Sequence, residues 1–120
     1  MSDLEKLVTV DTILEYLENA VETKEPIPPS VWADAGAKLN ILMGDETDLL
    51  FKLQQIEAQK RYEHVKAQTK TNISEADAFI ETTDEHVAVQ RQRARVERIK
   101  EAVRMSKVQA RLRSEELRGY

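Results

Sequence analysis

The chain has 120 residues, of which 33% are charged and only 5% aromatic, with three glycines and three prolines. So little turn-forming material excludes a protein of many short strands, and the abundant Glu, Lys, Arg, Ala, Leu and Gln favour helices. The absence of cysteine excludes disulfides, thiolate catalysis and cysteine-ligated zinc. The composition predicts an all-α protein, and the length predicts one domain over residues 1–120.

The charge is divided unevenly along the chain. Residues 1–85 hold 8 Lys/Arg against 18 Asp/Glu, a net of −10, whereas residues 86–120 hold 10 against 4, a net of +6. The acidic N-terminus lacks the basic region and apolar run of a signal peptide. Apolar runs stay far below the ~20 residues that span a bilayer. We therefore expect a soluble, cytoplasmic protein without a membrane anchor.

The N-terminal part, residues 1–29, is predicted to be a short helix followed by a linker. Thr9 can cap a helix over about residues 10–23, whose apolar residues share one face: Val10, Ile13, Leu14, Leu17, Ala20 and Val21. Three prolines within Pro26–Pro29 then forbid helix and favour an extended linker. Ser30 is the expected cap of the next helix.

The second helix is predicted over about residues 31–69. Gly44 could end it, with Asp45 capping a further helix, or could be tolerated within one helix. We favour the continuous helix because the apolar spacing carries through Gly44 in Leu42, Leu49, Leu53 and Ile56. Trp32 is the largest apolar group and is expected to anchor the core, although a Trp can also anchor a partner.

The C-terminal half predicts a short helix and a long one. Ser74 and Asp77 have the spacing of a cap before a helix over about residues 74–81. Thr82 and Glu85 have the spacing of a capping box for a helix over residues 83–118, and Gly119 stands where that helix should stop. Its apolar seam repeats every seven residues in Val89, Val96, Val103, Ala110 and Leu117, with Ile99.

Together these elements predict an antiparallel helical hairpin over residues 30–120, with coiled-coil-like packing and the N-terminal helix near its base. The expected core residues are Leu14, Leu17, Trp32, Leu39, Leu42, Leu49, Leu53, Ile56, Phe79, Ile99 and Val103. The last helix has a second apolar stripe in Met105, Val108 and Leu112. Since two stripes favour two neighbours, we expect a homo-oligomer, either a dimer or a larger assembly.

The residues that could perform catalysis do not form a recognisable site. Neither His64 nor His86 has a Glu three positions before it, so the Glu-x-x-His signature of carboxylate-bridged metal bundles is absent. Two groups of carboxylates, Glu15-x-x-Glu18 with Glu22 and Asp45-x-x-Asp48, resemble the Mg²⁺-binding pairs of all-helical nucleotide pyrophosphohydrolases. The apolar face of the first helix, however, turns its three glutamates outward. We predict no catalytic residue, no metal site and no cofactor.

The basic last helix offers a different kind of site. A possible contact with nucleic acid or a protein partner is predicted at Arg91, Arg95, Arg98, Arg104 and Arg111. Interleaved acids such as Glu97 and Glu101, and the absence of an aromatic for base stacking, weaken the nucleic-acid reading. We favour the alternative, in which these arginines pair with Glu46, Asp48, Glu57 and Glu63 on the antiparallel helix.

The layout from Leu49 onward resembles small all-helical proteins encoded by bacteriophages and prophages. The resemblance is carried by Leu49-Leu50-Phe51-Lys52-Leu53, Tyr62, Ser74-Glu75-Ala76-Asp77, and Arg95-Val96-Glu97-Arg98-Ile99 through Arg118. It implies an accessory role near phage recombination or replication. The sequence as a whole predicts a non-enzymatic interaction or assembly module, with a nucleic-acid-binding accessory protein as the alternative.

Overall fold

A computed structural model of the chain describes residues 9–68 and 72–117. Over these residues it forms four helices and no strand: α1 (Val10–Thr23), α2 (Pro29–Ala67), α3 (Ile73–Glu81) and α4 (Asp84–Leu117). The two long helices pack against each other as a helical hairpin. The prediction of an all-α hairpin with two short accompanying helices is therefore confirmed.

Helix α1 has the predicted bounds. The side chain of Thr9 accepts a hydrogen bond from the backbone of Thr12, and the side chain of Thr12 accepts one from Thr9 in return. Lys24 ends the helix in the left-handed conformation at φ 56°, so its N–H reaches the carbonyl oxygens of Ala20 and Val21. These two caps satisfy backbone groups that a short helix would otherwise leave to solvent.

Helix α2 is continuous through Gly44, as the apolar spacing predicted. Its start differs from the prediction, because Ser30 lies inside the first turn rather than capping it. The carbonyl of Pro28 accepts from the backbone N–H groups of Val31 and Trp32, at 3.0 and 3.3 Å. Pro29 is the first residue of the helix. Proline suits that position because the first helical residue has no intrahelical hydrogen bond for its N–H to lose.

Helices α3 and α4 also begin away from the predicted caps. The side chain of Asn72, not Ser74, accepts from the backbone N–H of Glu75 at 2.8 Å. Asn is as good a capping residue as Ser. With Asn72 as the cap, the helix begins at Ile73, one residue earlier than predicted. Residues 69–71, which include the predicted end of the second helix at residue 69, lie outside the described residues.

Thr83, not Thr82, caps α4. Its Oγ1 accepts from the backbone N–H of His86 at 3.2 Å and donates to the carbonyl of Ile80 at 2.6 Å. One hydroxyl thus serves the end of α3 and the start of α4, which is possible because only two residues separate these helices. Thr82 instead closes α3. Residues 118–120, including the predicted stop at Gly119, lie outside the described residues.

The chain forms two compact units. Unit 1 comprises Met1–Asp45 with Glu97–Tyr120, and unit 2 comprises Glu46–Val96. Each unit contains a segment of α2 and a segment of α4, so these units do not follow the predicted division at residue 30. The single domain over residues 1–120 stays a prediction.

Unit 1 holds the larger apolar core. Ile13, Leu14, Leu17, Trp32, Leu39 and Ile99 are at most 1% exposed, and Val103 is 6% exposed. Leu42 packs against this core while remaining partly buried. At Gly36 helices α2 and α4 approach so closely that a Cβ there would contact the Oγ of Ser106 and lie 3.1 Å from its Cβ. The expected core residues of this unit are confirmed.

Unit 2 buries far less apolar surface. Its buried apolar residues are Ala76, Ile80, Val89 and Val96, while Leu53 and Phe79 are only partly buried. The predicted core residues Leu49 and Ile56 are wrong, since they are 44% and 53% exposed. A stripe repeating every seven residues drifts about 20° per repeat around a straight helix. The stripe that starts at Leu42 therefore leaves the packed face as it continues.

Candidate interaction surfaces

The face of α2 that meets α4 in unit 2 is mostly polar. The carboxylate of Glu46 accepts from Gln92 Nε2 at 2.7 Å and from Arg95 Nε at 3.1 Å. Gln92 is 7% exposed and also donates to the carbonyl of Glu46 at 2.8 Å. The predicted pairing of an α4 arginine with Glu46 is thus observed, and it engages Arg95 with a carboxylate rather than leaving it for a partner.

Further along the same unit the pairing continues. His86 Nδ1 lies 3.0 Å from Glu57, and Lys60 lies 3.5 Å from Glu85. Arg61 Nε donates to Asp77 at 3.1 Å, and the ring of His64 stacks on Phe79 with 3.8 Å between ring centroids. Both histidines therefore have structural neighbours. No group of three or more potential ligands among the described residues could hold a metal ion.

The five predicted contact arginines differ in their partners. Arg95 pairs with Glu46, Arg98 pairs with Glu18 on α1, and Arg104 pairs with Glu101 one turn earlier. Arg91 and Arg111 have no ion pair among the described residues. In unit 1, Arg104 follows Arg98 by six residues, which places it about 120° away around the helix. Arg98 and Arg104 therefore do not share one face of α4 in unit 1.

A different row of cations does share one face of α4 in unit 1. Lys100, Arg104, Lys107 and Arg111 are all exposed and follow a 4-3-4 spacing. This spacing keeps them within a sector of about 60° on a helix of 3.6 residues per turn. We call this row the basic stripe. Lys100 and Arg104 contact Glu97 and Glu101, whereas Lys107 and Arg111 have no ion pair among the described residues.

The Arg104–Glu101 pair changes the acidity of both groups. The hydrogen bond from Arg104, and secondarily its charge, lowers the pKa of the Glu101 carboxyl below its ordinary value. The same contact raises the pKa of Arg104. Both groups are exposed, so water and salt screen this interaction and it contributes little to stability.

Helix α2 carries an exposed apolar face in unit 2 that the sequence interpretation missed. Phe51 and Tyr62 are each 59% exposed, and Val65 is 37% exposed. With Ala58 they follow a 7-4-3 spacing, which is the heptad pattern of a helix that packs on another helix. We call these four residues the α2 apolar face. That spacing was readable from the sequence, but the stronger pattern through Leu49 and Ile56 obscured it.

Beside this face, a groove of about 520 Å³ runs along α2 and is lined by Lys52, Gln55, Ile56, Gln59, Lys60 and Glu63.

Trp32, the predicted partner anchor, has no exposed surface of this kind. Its side chain is 1% exposed and belongs to the core of unit 1. The interpretation of Trp32 as a core residue is confirmed. Its alternative role as a partner anchor stays a prediction.

Comparison with known proteins adds no family. No protein-family model matches the chain, and no curated protein or solved structure matches it either. None of the described helices combines the length and the apolar character needed to cross a bilayer.

Proposed function

We propose that this chain is a non-enzymatic interaction or assembly module, in which the α2 apolar face binds a helix of a protein partner. The observation that carries the proposal is the exposure of Phe51 and Tyr62, each 59%, in a chain with only 5% aromatic residues. Half-exposed rings at heptad spacing are costly to leave in water. Covering a large apolar side chain contributes on the order of 1.5–3 kcal/mol.

The rest of the α2 surface fits such a role. Lys52, Gln55, Gln59 and Glu63 lie beside the apolar residues. An apolar stripe with polar and charged neighbours is the usual make-up of a surface that binds a helix reversibly while the free protein stays dissolved. The expected homo-oligomer and the phage origin belong to the same proposal, and the phage origin depends on the resemblance from Leu49 onward.

A photo-crosslinking experiment tests the proposal. p-Benzoylphenylalanine is placed at Phe51 or Tyr62 in the full chain, in the bacterial cell, and at Gln59 as a matched control beside the face. We expect a discrete protein adduct from positions 51 and 62 and a much weaker one from position 59. Equal labelling at all three positions, or no protein adduct from positions 51 and 62, would contradict the proposal.

A nucleic-acid-binding accessory protein is the second candidate. The observation in its favour is that Arg91, Lys107 and Arg111 are exposed and have no ion pair among the described residues. Binding through phosphate contacts should weaken steeply as the salt concentration rises. Light scattering with a short DNA duplex at low salt tests this candidate. If it is right, the chain forms a complex with the duplex, the complex dissociates when salt is added, and Arg111→Glu forms no complex.

A further inference from the structure

Helix α1 carries an acidic row with the same spacing as the basic stripe. Asp11, Glu15, Glu18 and Glu22 are exposed and follow a 4-3-4 spacing on the side away from the buried residues of α1. We call this row the acidic stripe. Both stripes lie in unit 1, and each runs for about 16 Å along its helix within a sector of about 60°.

The two stripes match in the number, sign and placement of their charges. When the helices lie side by side, four carboxylates stand opposite four cations at matching 4-3-4 intervals. Glu18, Lys100 and Arg104 would then add these contacts to the ion pairs that they form within one copy. The 4-3-4 spacing reads the same in both directions, and the match therefore holds for parallel and antiparallel helices. Glu15, Glu22, Lys107 and Arg111 have no ion pair among the described residues and remain available for such contacts.

Within one copy the stripes do not meet. Helix α1 contacts α4 through the ion pair between Glu18 and Arg98. The members of the basic stripe lie about 120–180° around α4 from Arg98. They face away from α1, so the acidic stripe of the same copy cannot cover them, whereas that of a second copy can.

We propose that the chain self-associates by laying the acidic stripe of one copy along the basic stripe of a second copy. The inference rests on the proposed function, since it names a second copy as a partner of this assembly module, but it uses residues outside the α2 apolar face. A pair of copies then still has one acidic stripe and one basic stripe that face no other copy. Contacts of this kind join head to tail and give a ring or a growing chain.

Exposed ion pairs are individually weak and screened by salt. Association is therefore expected at about 20 mM NaCl and is expected to be lost at about 0.5 M NaCl, where screening is several-fold stronger. This salt response distinguishes the stripes from the α2 apolar face, because apolar contacts are not weakened by added NaCl in this way.

Two charge-reversed variants test the proposal by light scattering. The first is Glu15→Lys with Glu22→Lys, and the second is Lys107→Glu with Arg111→Glu. The unmodified chain should exceed the mass of one copy at low salt and return to it at high salt. Each variant alone should keep the mass of one copy, and an equimolar mixture of the two should associate again. All four positions are exposed, and circular dichroism verifies the helices.

Matched controls reverse the same number of exposed charges outside the stripes and outside the groove beside the α2 apolar face: Asp34→Lys with Glu81→Lys, and Lys66→Glu with Arg93→Glu. Both should associate like the unmodified chain. Three results would overturn the proposal. The unmodified chain could have the mass of one copy at low salt, either variant could still associate by itself, or the mixture of the two variants could stay dissociated. A stripe that binds a DNA duplex but no second copy also overturns it. Crosslinks from Phe51 would be unaffected, so the proposed function is tested separately.

Discussion

Units 1 and 2 use segments of the same two long helices but bury different kinds of surface. Unit 1 encloses large apolar side chains such as Trp32, Leu39 and Ile99, each at most 1% exposed. Unit 2 places carboxylates and their partners between the helices, as in the contacts of Glu46 with Gln92 and Arg95. Buried apolar area stabilises a fold, whereas partly exposed ion pairs contribute little. The difference teaches that stability is concentrated in unit 1 and that unit 2 leaves more of its large apolar side chains exposed.

The largest effect is expected at Trp32. Trp32→Ala should lower the free energy of unfolding by about 3–5 kcal/mol, the usual cost of removing a buried aromatic side chain. The matched change in unit 2, Phe51→Ala, removes a ring that is 59% exposed and should cost less than about 1 kcal/mol. Urea unfolding of both variants measures the two costs. Similar losses would contradict the contrast between the units.

A pair of glycines in α2 sharpens the comparison within unit 1. Gly36→Ala places a Cβ 3.1 Å from Ser106 Cβ and should destabilise by about 1–3 kcal/mol. Gly44→Ala places a Cβ in open space and should stabilise by about 0.5–1 kcal/mol, because Ala restricts the unfolded chain. Thermal unfolding reports both signs. If Gly36→Ala also raised the stability, helix propensity would outweigh packing at Gly36.

The polar contacts of unit 2 should respond less than the core of unit 1. Glu46→Ala leaves the largely buried amide of Gln92 without its carboxylate acceptor and should cost about 1–2 kcal/mol. Asp48→Ala, an exposed change two residues away, should stay within about 0.5 kcal/mol. Denaturant unfolding of the two variants provides the check, and equal effects would show that Glu46 has no special role.

The smallest effect is expected at the Glu101–Arg104 pair. A lowered carboxyl pKa adds stability that is present above the ordinary pKa of a glutamate and is lost as the pH falls through the lowered value. Since both groups are fully exposed, Arg104→Gln should leave unfolding nearly unchanged. The same variant should raise the pKa of Glu101 toward its ordinary value, which an NMR titration of that carboxyl detects. An unmoved pKa would show that the pair is not formed in solution.

Much of the fold was predictable because helix formation here is local. The cap at Thr9 and the apolar face of α1 set its bounds, and a helix-favouring composition carries α2 through Gly44. The caps at Asn72 and Thr83 were missed by one or two residues, because Asn, Ser and Thr compete as caps and several stand close together. Sequence alone does not decide which of them starts the helix.

The face of α2 that packs on α4 in unit 2 could not be predicted from local sequence patterns. The spacing of apolar residues predicts that Leu49 and Ile56 lie on the face of α2 that packs on α4. In the structure that face carries polar residues instead, such as Glu46 and Glu57, which pair with residues of α4. The same limit applies to the arginines. Whether Arg98 is free depends on where α1 places Glu18, and no spacing within α4 contains that information.

The polar face between α2 and α4 in unit 2 also fixes the register of this part of the hairpin. In a purely apolar interface, one helix could slip past the other by a single turn, about 5.4 Å, at little cost, because apolar side chains would still contact apolar side chains. Here such a slip would separate Glu46 from Arg95, Glu57 from His86 and Lys60 from Glu85 at the same time. Contacts that add little stability to the correct pairing thereby make every neighbouring pairing worse, and they select one alignment of the helices.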